Sequence, residues 1–207
     1  SITNFKRKIM DNTDIIVAIC AIGLPALALT AFLVFYHLRQ GIKAKVIKIS
    51  NPILLVGYQI ETTDESFAED DEKLWNTYKD RRATIENRKE AFSSLSIKKK
   101  LEDGKWRYSL GTIVNDYSLM PQDLVKFEVP NGLYAYVRFK ANDINTWRKK
   151  KEKIERFMEE KWIPESDYEL DYSTDAFEME YHDKRDAENT RIIILYFAVK
   201  PKKREVQ

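Results

Sequence analysis

The longest apolar segment of the chain lies near its beginning, at residues 15–38. No charged side chain interrupts this segment, and the only breaks in its apolar character are Gly23, Pro25, Thr30 and His37. A helix rises about 1.5 Å per residue, so the segment is long enough to cross the roughly 30 Å hydrocarbon layer of a bilayer. The pattern therefore predicts one transmembrane helix over residues 15–38.

A cleavable signal peptide is the main alternative for this segment. The apolar stretch is longer than the hydrophobic region of a signal peptide, and it ends in bulky residues at 35–38 where signal peptidase needs small ones. Lys and Arg side chains flank both ends of the segment. The basic segment at residues 1–14 contains three of them, and residues 39–50 contain four. We therefore expect a single-pass membrane protein whose folded domain faces the cytoplasm.

The remaining pattern divides into three parts. Basic and apolar residues alternate within residues 39–50, which predicts an extended juxtamembrane stalk or an interfacial segment. Residues 51–200 carry the periodic apolar patterns of one folded domain, long enough to bury a core of its own. Residues 201–207 form a basic tail.

Within residues 51–200 the same order of elements occurs twice. Each half has a strand, then a helix with apolar residues four or seven positions apart, then further strands; in the first half Asp103-Gly104 is typical of a hairpin turn. The predicted elements are strand 53–58, helix 69–92, strands 95–100, 105–114 and 124–129, then strand 133–140, helix 144–162 and strands 176–182 and 191–199. The sequence thus predicts an α+β fold of duplicated β-α-β-β units, in which an antiparallel sheet is accompanied by two helices.

Charge and reactive side chains exclude several kinds of site. The 35 basic and 33 acidic residues leave a formal net charge of +2, too small a field to indicate a nucleic-acid partner. The single cysteine and two distant histidines offer neither a disulfide nor a metal-ligand spacing, so we expect no metal and no cofactor. The basic run at residues 148–153 is predicted to be a solvated helix face, and Trp75, Trp147 and Trp162 are predicted to be core residues.

Short motifs then follow one another in the order of a known family. Residues 162–169 (Trp-Ile-Pro-Glu-Ser-Asp-Tyr-Glu) end the second predicted helix, and residues 130–135 (Pro-Asn-Gly-Leu-Tyr-Ala) begin a strand. Further motifs are Leu74-Trp75, the hairpin residues Asp103-Gly104, Trp106, Tyr108 and Gly111, Phe177-Glu178 followed by Tyr181, and Ala198-Val199-Lys200. Together they resemble GyrI-like domains, the effector-binding domains of multidrug-responsive bacterial transcription regulators.

The resemblance implies two pseudo-symmetric halves around a cleft that takes apolar, often cationic, ligands between aromatic walls and a glutamate. The family strand has one residue between glutamate and tyrosine. Here two residues, Met179 and Glu180, stand between Glu178 and Tyr181, so either glutamate could be the pocket carboxylate, and both share a strand face. Glu178 is preferred because it follows a phenylalanine, as in the family. The aromatic residues predicted to line the walls are Tyr58, Trp106, Tyr108 and Tyr136.

These features predict a membrane-anchored domain that senses or sequesters amphipathic small molecules, either cationic or neutral and aromatic. The predicted partners are that small molecule and the lipid bilayer. A hydrolase is a second hypothesis, in which a glutamate whose pKa is raised among aromatic rings acts as general base. A membrane adaptor without a ligand is a third, because the arrangement also resembles the animal endoplasmic-reticulum autophagy receptors of this fold.

Overall fold

The structure is a computed structural model that describes residues 41–90, 93–183 and 191–203. The predicted transmembrane helix at residues 15–38 lies outside the described residues. Among the residues that are described, no helix is both long and apolar enough to cross a membrane. The fold below is that of the unit beginning at Lys43.

Antiparallel strands and two helices of several turns make up this unit. In chain order they are β1 (Lys45–Ile49), β2 (Ile53–Thr62), helix α1 (Phe67–Arg81), β3 (Ser93–Lys100), β4 (Trp106–Ile113), β5 (Val125–Val129), β6 (Gly132–Ala141), helix α2 (Ile144–Phe157), β7 (Tyr168–Leu170), β8 (Glu178–Asp183) and β9 (Arg191–Pro201). The predicted class, α+β with an antiparallel sheet and two helices, is confirmed.

The strand order of the sheet is β1-β6-β9-β8-β3-β4-β2-β5, and β7 adds to β9. From the junction of β8 and β3, the order is β3-β4-β2-β5 in one direction and β8-β9-β6-β1 in the other. The central strands are β3, directly after α1, and β8, which follows α2 and the short β7; the strands before the helices, β2 and β6, lie further out. This mirrored order agrees with the duplicated β-α-β-β units that the sequence predicts, joined through β3 and β8.

The sheet begins earlier than the predicted domain boundary at residue 51. The segment predicted as a stalk, residues 39–50, contains β1, which pairs with β6 from Lys45↔Tyr136 to Ile49↔Gly132. Ile49 packs against an apolar cluster on one face of the sheet. The alternation of basic and apolar residues is thus that of a charged edge strand, a common protection of a sheet edge.

Helix α1 ends at Arg81, well before the predicted end at residue 92. A 3-10 turn follows, and the backbone is extended at Ile85 (ψ 110°) and left-handed at Asn87 (φ 57°). Ile85 is 2% exposed, so its side chain reaches the core from an extended backbone. Its spacing from Leu74 therefore reflects a shared core and not one continuous helix.

Helix α2 starts where it was predicted to start. The side chain of Asp143 caps it by accepting a hydrogen bond from the amide of Thr146 at 2.9 Å, which satisfies a free helix N–H. After Phe157 the winding loosens to a π-helical segment, Met158–Trp162. The helical region thus reaches the predicted end at residue 162, with α2 itself ending earlier.

Apolar residues cover both faces of the sheet. Leu55 belongs to one cluster and its neighbour Val56 to the other, because successive residues of a strand point to opposite faces. The cluster of Val56 includes Leu74 and Tyr78 of α1, so we call this side the helix face. The hydroxyl of Tyr78 hydrogen-bonds Thr112 at 2.6 Å, and burial raises the pKa of Tyr78 to about 12.

Candidate functional site

A cleft of about 730 Å³ lies between the two helices, above the helix face where β3 meets β8. The residues with which each helix lines it include three spaced four apart, namely Phe67, Asp71 and Trp75 on α1 and Trp147, Lys151 and Glu155 on α2. Residues at this spacing lie on one face of a helix, so each helix presents a single stripe to the cleft. The volume is that of a site for a drug-sized molecule.

Strand register places the residues of the cleft floor. Glu178 lies directly opposite Lys98, which lies opposite Tyr108, while Glu180 lies opposite Ser96. Residues directly opposite one another in antiparallel strands share a face of the sheet. The two glutamates therefore project from the same face, next to a lysine and a tyrosine that are distant in sequence.

The ammonium group of Lys151 is the centre of charge in the cleft. Its Nζ lies 2.9 Å from Glu180 Oε2, 3.2 Å from Glu178 Oε1 and 3.7 Å from Glu155 Oε1. The Lys151 side chain is only 13% exposed, and Nζ is 5.7 Å from the centre of the Trp147 ring. One cation is thus surrounded by three carboxylates and an aromatic ring.

Glu180 has partners on both carboxylate oxygens. The indole N–H of Trp147 donates to Oε1, and Nε2 of His182 lies 2.9 Å from the same oxygen. Lys151 donates to Oε2 at 2.9 Å. The Glu180 side chain is 5% exposed. Its contacts make it a residue that positions α2 against β8.

Glu178 and Glu180 remain anions in spite of their burial. Burial would raise the pKa of each carboxyl, but the neighbouring cations, Lys151 first among them, and their hydrogen bonds together outweigh it and lower the pKa of both below the usual range. For Glu178, Lys98 adds to this effect from 3.6 Å. Burial would likewise lower the pKa of Lys151, yet the surrounding carboxylates raise it well above the ordinary value.

The pKa values of Glu178 and Glu180 are lowered, whereas the hydrolase hypothesis requires a glutamate with a raised pKa. A general base at neutral pH works best with a pKa near the operating pH. Lys151 lowers the pKa of both predicted glutamates, which makes them weaker bases. For Glu178 and Glu180, the geometry thus gives the hypothesis of a glutamate base no support.

Two other carboxyls of the cleft shift in the opposite direction. Burial raises the pKa of Asp71, although the hydroxyl of Tyr108 partly offsets this by hydrogen bonding. Burial, followed by the charge of Glu178, raises the pKa of Glu155. Within the described residues, His, Cys, Asp and Glu side chains form no group of three or more that could hold a metal ion.

Three of the six residues predicted for the site line the cleft: Glu178, Glu180 and Tyr108. Tyr58 lies on the same face but in a distant strand. It is opposite Leu110, which is opposite Ser96, which is opposite Glu180. With strands about 4.8 Å apart, Tyr58 and Glu180 are roughly 14 Å from one another. Tyr58 packs instead on the apolar cluster beside α1.

The other two aromatic residues also have neighbours outside the cleft. Trp106 begins β4, where its indole N–H donates to Asp64 at 2.8 Å and its ring stacks 6.4 Å from Phe177. Tyr136 is opposite Tyr196, which is opposite Met179. Because Met179 alternates with Glu178 and Glu180 along β8, Tyr136 lies on the opposite face of the sheet.

Sequence reasoning missed most of the helix residues that line the cleft. Trp147 is half-buried beside the charges rather than in the core, and Lys151 belongs to the run predicted to be solvated. The available signal was the four-residue spacing of Trp147, Lys151 and Glu155, which places a lysine between an aromatic ring and a carboxylate on one helix face. Nothing local showed that this face meets β8.

Several solved structures share this fold. An integron cassette protein from the mobile metagenome of Vibrio cholerae matches 76% of this chain and 95% of its own, with 12% identity and a TM-score of 0.54. A bacterial transcription regulation protein from Staphylococcus aureus MU50 matches 77% and 99%, with 12% identity and a TM-score of 0.57. SAV2435, solved bound to tetraphenylphosphonium, matches 77% and 94%, with 13% identity and a TM-score of 0.57. At these identities the likeness shows the fold.

The family follows from the sequence itself. No curated protein matches the chain. The model of the Cass2 family, described as integron-associated effector binding protein, matches residues 47–199. This range extends from β1 to β9 and includes the cleft, which confirms the predicted GyrI-like effector-binding domain. The likeness to autophagy receptors stays a prediction. The chain belongs to the Cass2 family of integron-associated effector-binding proteins.

Proposed function

We propose that the domain binds an amphipathic small molecule in the cleft between α1 and α2, and so senses or sequesters it. The observation that carries the proposal is a cleft of about 730 Å³ whose aromatic walls stand above buried carboxylates. Such a combination of apolar walls and a few polar groups is typical of small-molecule sites. The family's effector-binding description and the relative solved with an aromatic cation support the same kind of ligand.

The apolar part of the ligand would contact rings on both helices. Phe67 packs edge-on to Tyr108 with ring centres 5.1 Å apart, and Trp75 packs edge-on to His182 at 5.0 Å. These pairs hold the rings in place, which reduces the entropy lost when a ligand binds. The side facing α2 is lined by Trp147.

The polar part of the ligand would approach Glu178. Glu180 already has donors on both oxygens, whereas Lys98 and Lys151 both approach Oε1 of Glu178. Glu178 is also the more exposed of the two side chains, at 13% against 5% for Glu180. Of the two predicted carboxylates, Glu178 is therefore the better ligand contact.

We predict that Glu178→Gln weakens the binding of tetraphenylphosphonium by about 1–3 kcal/mol, because it removes a charge while keeping the shape of the side chain. Triphenylphosphine oxide, a neutral aryl compound, should lose less. The measurement is a calorimetric titration of the full chain in lipid nanodiscs, with empty nanodiscs as the blank for partition into lipid.

Glu160→Gln is the matched control, since Glu160 is exposed and does not line the cleft. Equal affinities for the cation in the parent and in Glu178→Gln would contradict the role of Glu178. If neither probe binds the parent, the effector-binding proposal itself fails, and the adaptor hypothesis takes its place.

We also propose that residues 15–38 anchor the domain in a membrane, with the domain on the cytoplasmic side. The support is the uncharged apolar sequence of this segment and its length. In sealed vesicles with the cytoplasmic face outward, added protease should digest the domain and leave a protected fragment containing residues 15–38. A mature chain that starts after residue 38 would contradict the anchor, and a domain protected until detergent is added would contradict the orientation.

A further inference from the structure

The cleft already contains a cation that belongs to the chain. Nζ of Lys151 lies within 4 Å of three carboxylates, and the Trp147 ring is close by. Carboxylates beside an aromatic face form the environment in which a ligand ammonium binds. We propose that Lys151 is a resident cation, which occupies the cation position of the cleft and thereby selects ligands by charge. This inference rests on the proposed binding of a small molecule in the same cleft.

Helix α2 holds the lysine in this position from both sides. Trp147 and Glu155 stand four residues before and after Lys151, so both lie along the same helix face. The Lys151 side chain is 13% exposed, whereas Lys149 and Lys153 of the same helix are exposed to solvent. Lys151 is therefore built into the cleft, unlike the neighbouring basic residues.

The charge balance explains how one side chain selects ligands. On the floor of the cleft, the carboxylates of Glu178 and Glu180 face the ammonium groups of Lys151 and Lys98. The two carboxylates of the floor are thus paired with two ammonium groups before any ligand arrives, and Glu155 of α2 adds a third carboxylate 3.7 Å from Nζ of Lys151. An incoming cation has to displace Nζ of Lys151 from its ion pairs, whereas a neutral aromatic molecule can use the apolar walls and leave these pairs intact.

The first experiment removes the lysine and supplies its missing part. Lys151→Ala lacks a fragment equivalent to propylammonium, so thermal unfolding of the full chain in lipid nanodiscs is followed with and without that ion at equal ionic strength. We expect propylammonium to raise the Tm of Lys151→Ala by about 3 °C or more and to leave the parent and Lys153→Ala unchanged. Propanol, which lacks the charge, should not raise the Tm. Equal shifts in all three proteins would overturn the resident-cation assignment.

The second experiment measures selection by charge. Lys151→Met removes the charge but keeps an apolar side chain, and Lys153→Met is its control. We expect Lys151→Met to bind tetraphenylphosphonium about 10-fold more tightly than the parent, while its affinity for triphenylphosphine oxide changes less than about 3-fold. Similar changes for both probes, or no gain for the cation, would overturn the selective role of Lys151.

The two proposals can fail separately. If the parent binds the neutral probe and Lys151→Met gains no affinity for the cation, only the role of Lys151 is overturned. If no variant binds either probe, the effector-binding function is overturned, and ligand selection by Lys151 with it.

Discussion

Replacing Glu180 with alanine is expected to lower the free energy of unfolding by about 3–5 kcal/mol, the usual cost of removing one partner of a buried ion pair. The variant leaves the Lys151 ammonium without its nearest carboxylate and the Trp147 indole without its acceptor. His182 also loses the oxygen that lies 2.9 Å from its Nε2. Chemical denaturation of the full chain, followed by tryptophan fluorescence, measures the loss.

Glu178→Gln is the matched comparison for this prediction. It changes the neighbouring carboxylate but leaves Lys151 paired with Glu180, so the expected loss of unfolding free energy is about 1 kcal/mol. The two glutamates would then have different tasks, with Glu180 holding the cleft together and Glu178 meeting the ligand. Equal losses for Glu180→Ala and Glu178→Gln would show that this division is wrong.

Glu180→Ala should also change the pH dependence of stability. The pKa of Glu180 is lowered on folding from an ordinary value of 4.5 by Lys151 and His182, which outweigh burial. A carboxyl with a lowered folded-state pKa stabilises the fold above its unfolded pKa, and this contribution disappears as the pH falls toward the folded-state pKa. The difference in unfolding free energy between parent and Glu180→Ala should therefore be constant near neutrality and shrink below about pH 4.5.

Gly57→Ala is expected to cost about 3 kcal/mol, the upper end of the range for overpacking a protein interior. An added Cβ would lie 2.1 Å from the carbonyl oxygen of Leu110 and 2.6 Å from the Cα of Gly111. Both are backbone atoms of β4, which is paired with β2 on one side and with β3 on the other. The clash can be relieved only by moving a strand inside the sheet. Denaturation of the full chain measures this loss as well.

Gly132→Ala is the control for a methyl group on a strand glycine. At Gly132 the nearest atom to an added Cβ is 3.4 Å away, on the ring of Tyr134, which is an ordinary contact distance. We expect a loss below about 1 kcal/mol for this variant. If Gly57→Ala is tolerated as well as Gly132→Ala, β2 and β4 do not approach as closely as the structure has them.

Local patterns by themselves determined the order of elements and the side chains that share a face. The Asp103-Gly104 hairpin is present, with Gly104 at a φ of 82°, a conformation that glycine adopts without strain. The common face of Glu178 and Glu180 follows from their spacing of two in a strand. These features depend on backbone periodicity and turn chemistry, which a few neighbouring residues determine.

Only the tertiary structure decided which faces meet. The pairing of β3 with β8 brings Lys98 beside Glu178, and the packing of α2 on β6, beside that junction, brings in Lys151. The same pairing places Tyr58 three strands from Glu180 and Tyr136 on the opposite face. Strand partners and helix docking depend on contacts between residues far apart in sequence. The periodicity of a single segment does not indicate these contacts. The glutamates of the cleft could therefore be predicted from the sequence, but the lysines that balance their charge could not.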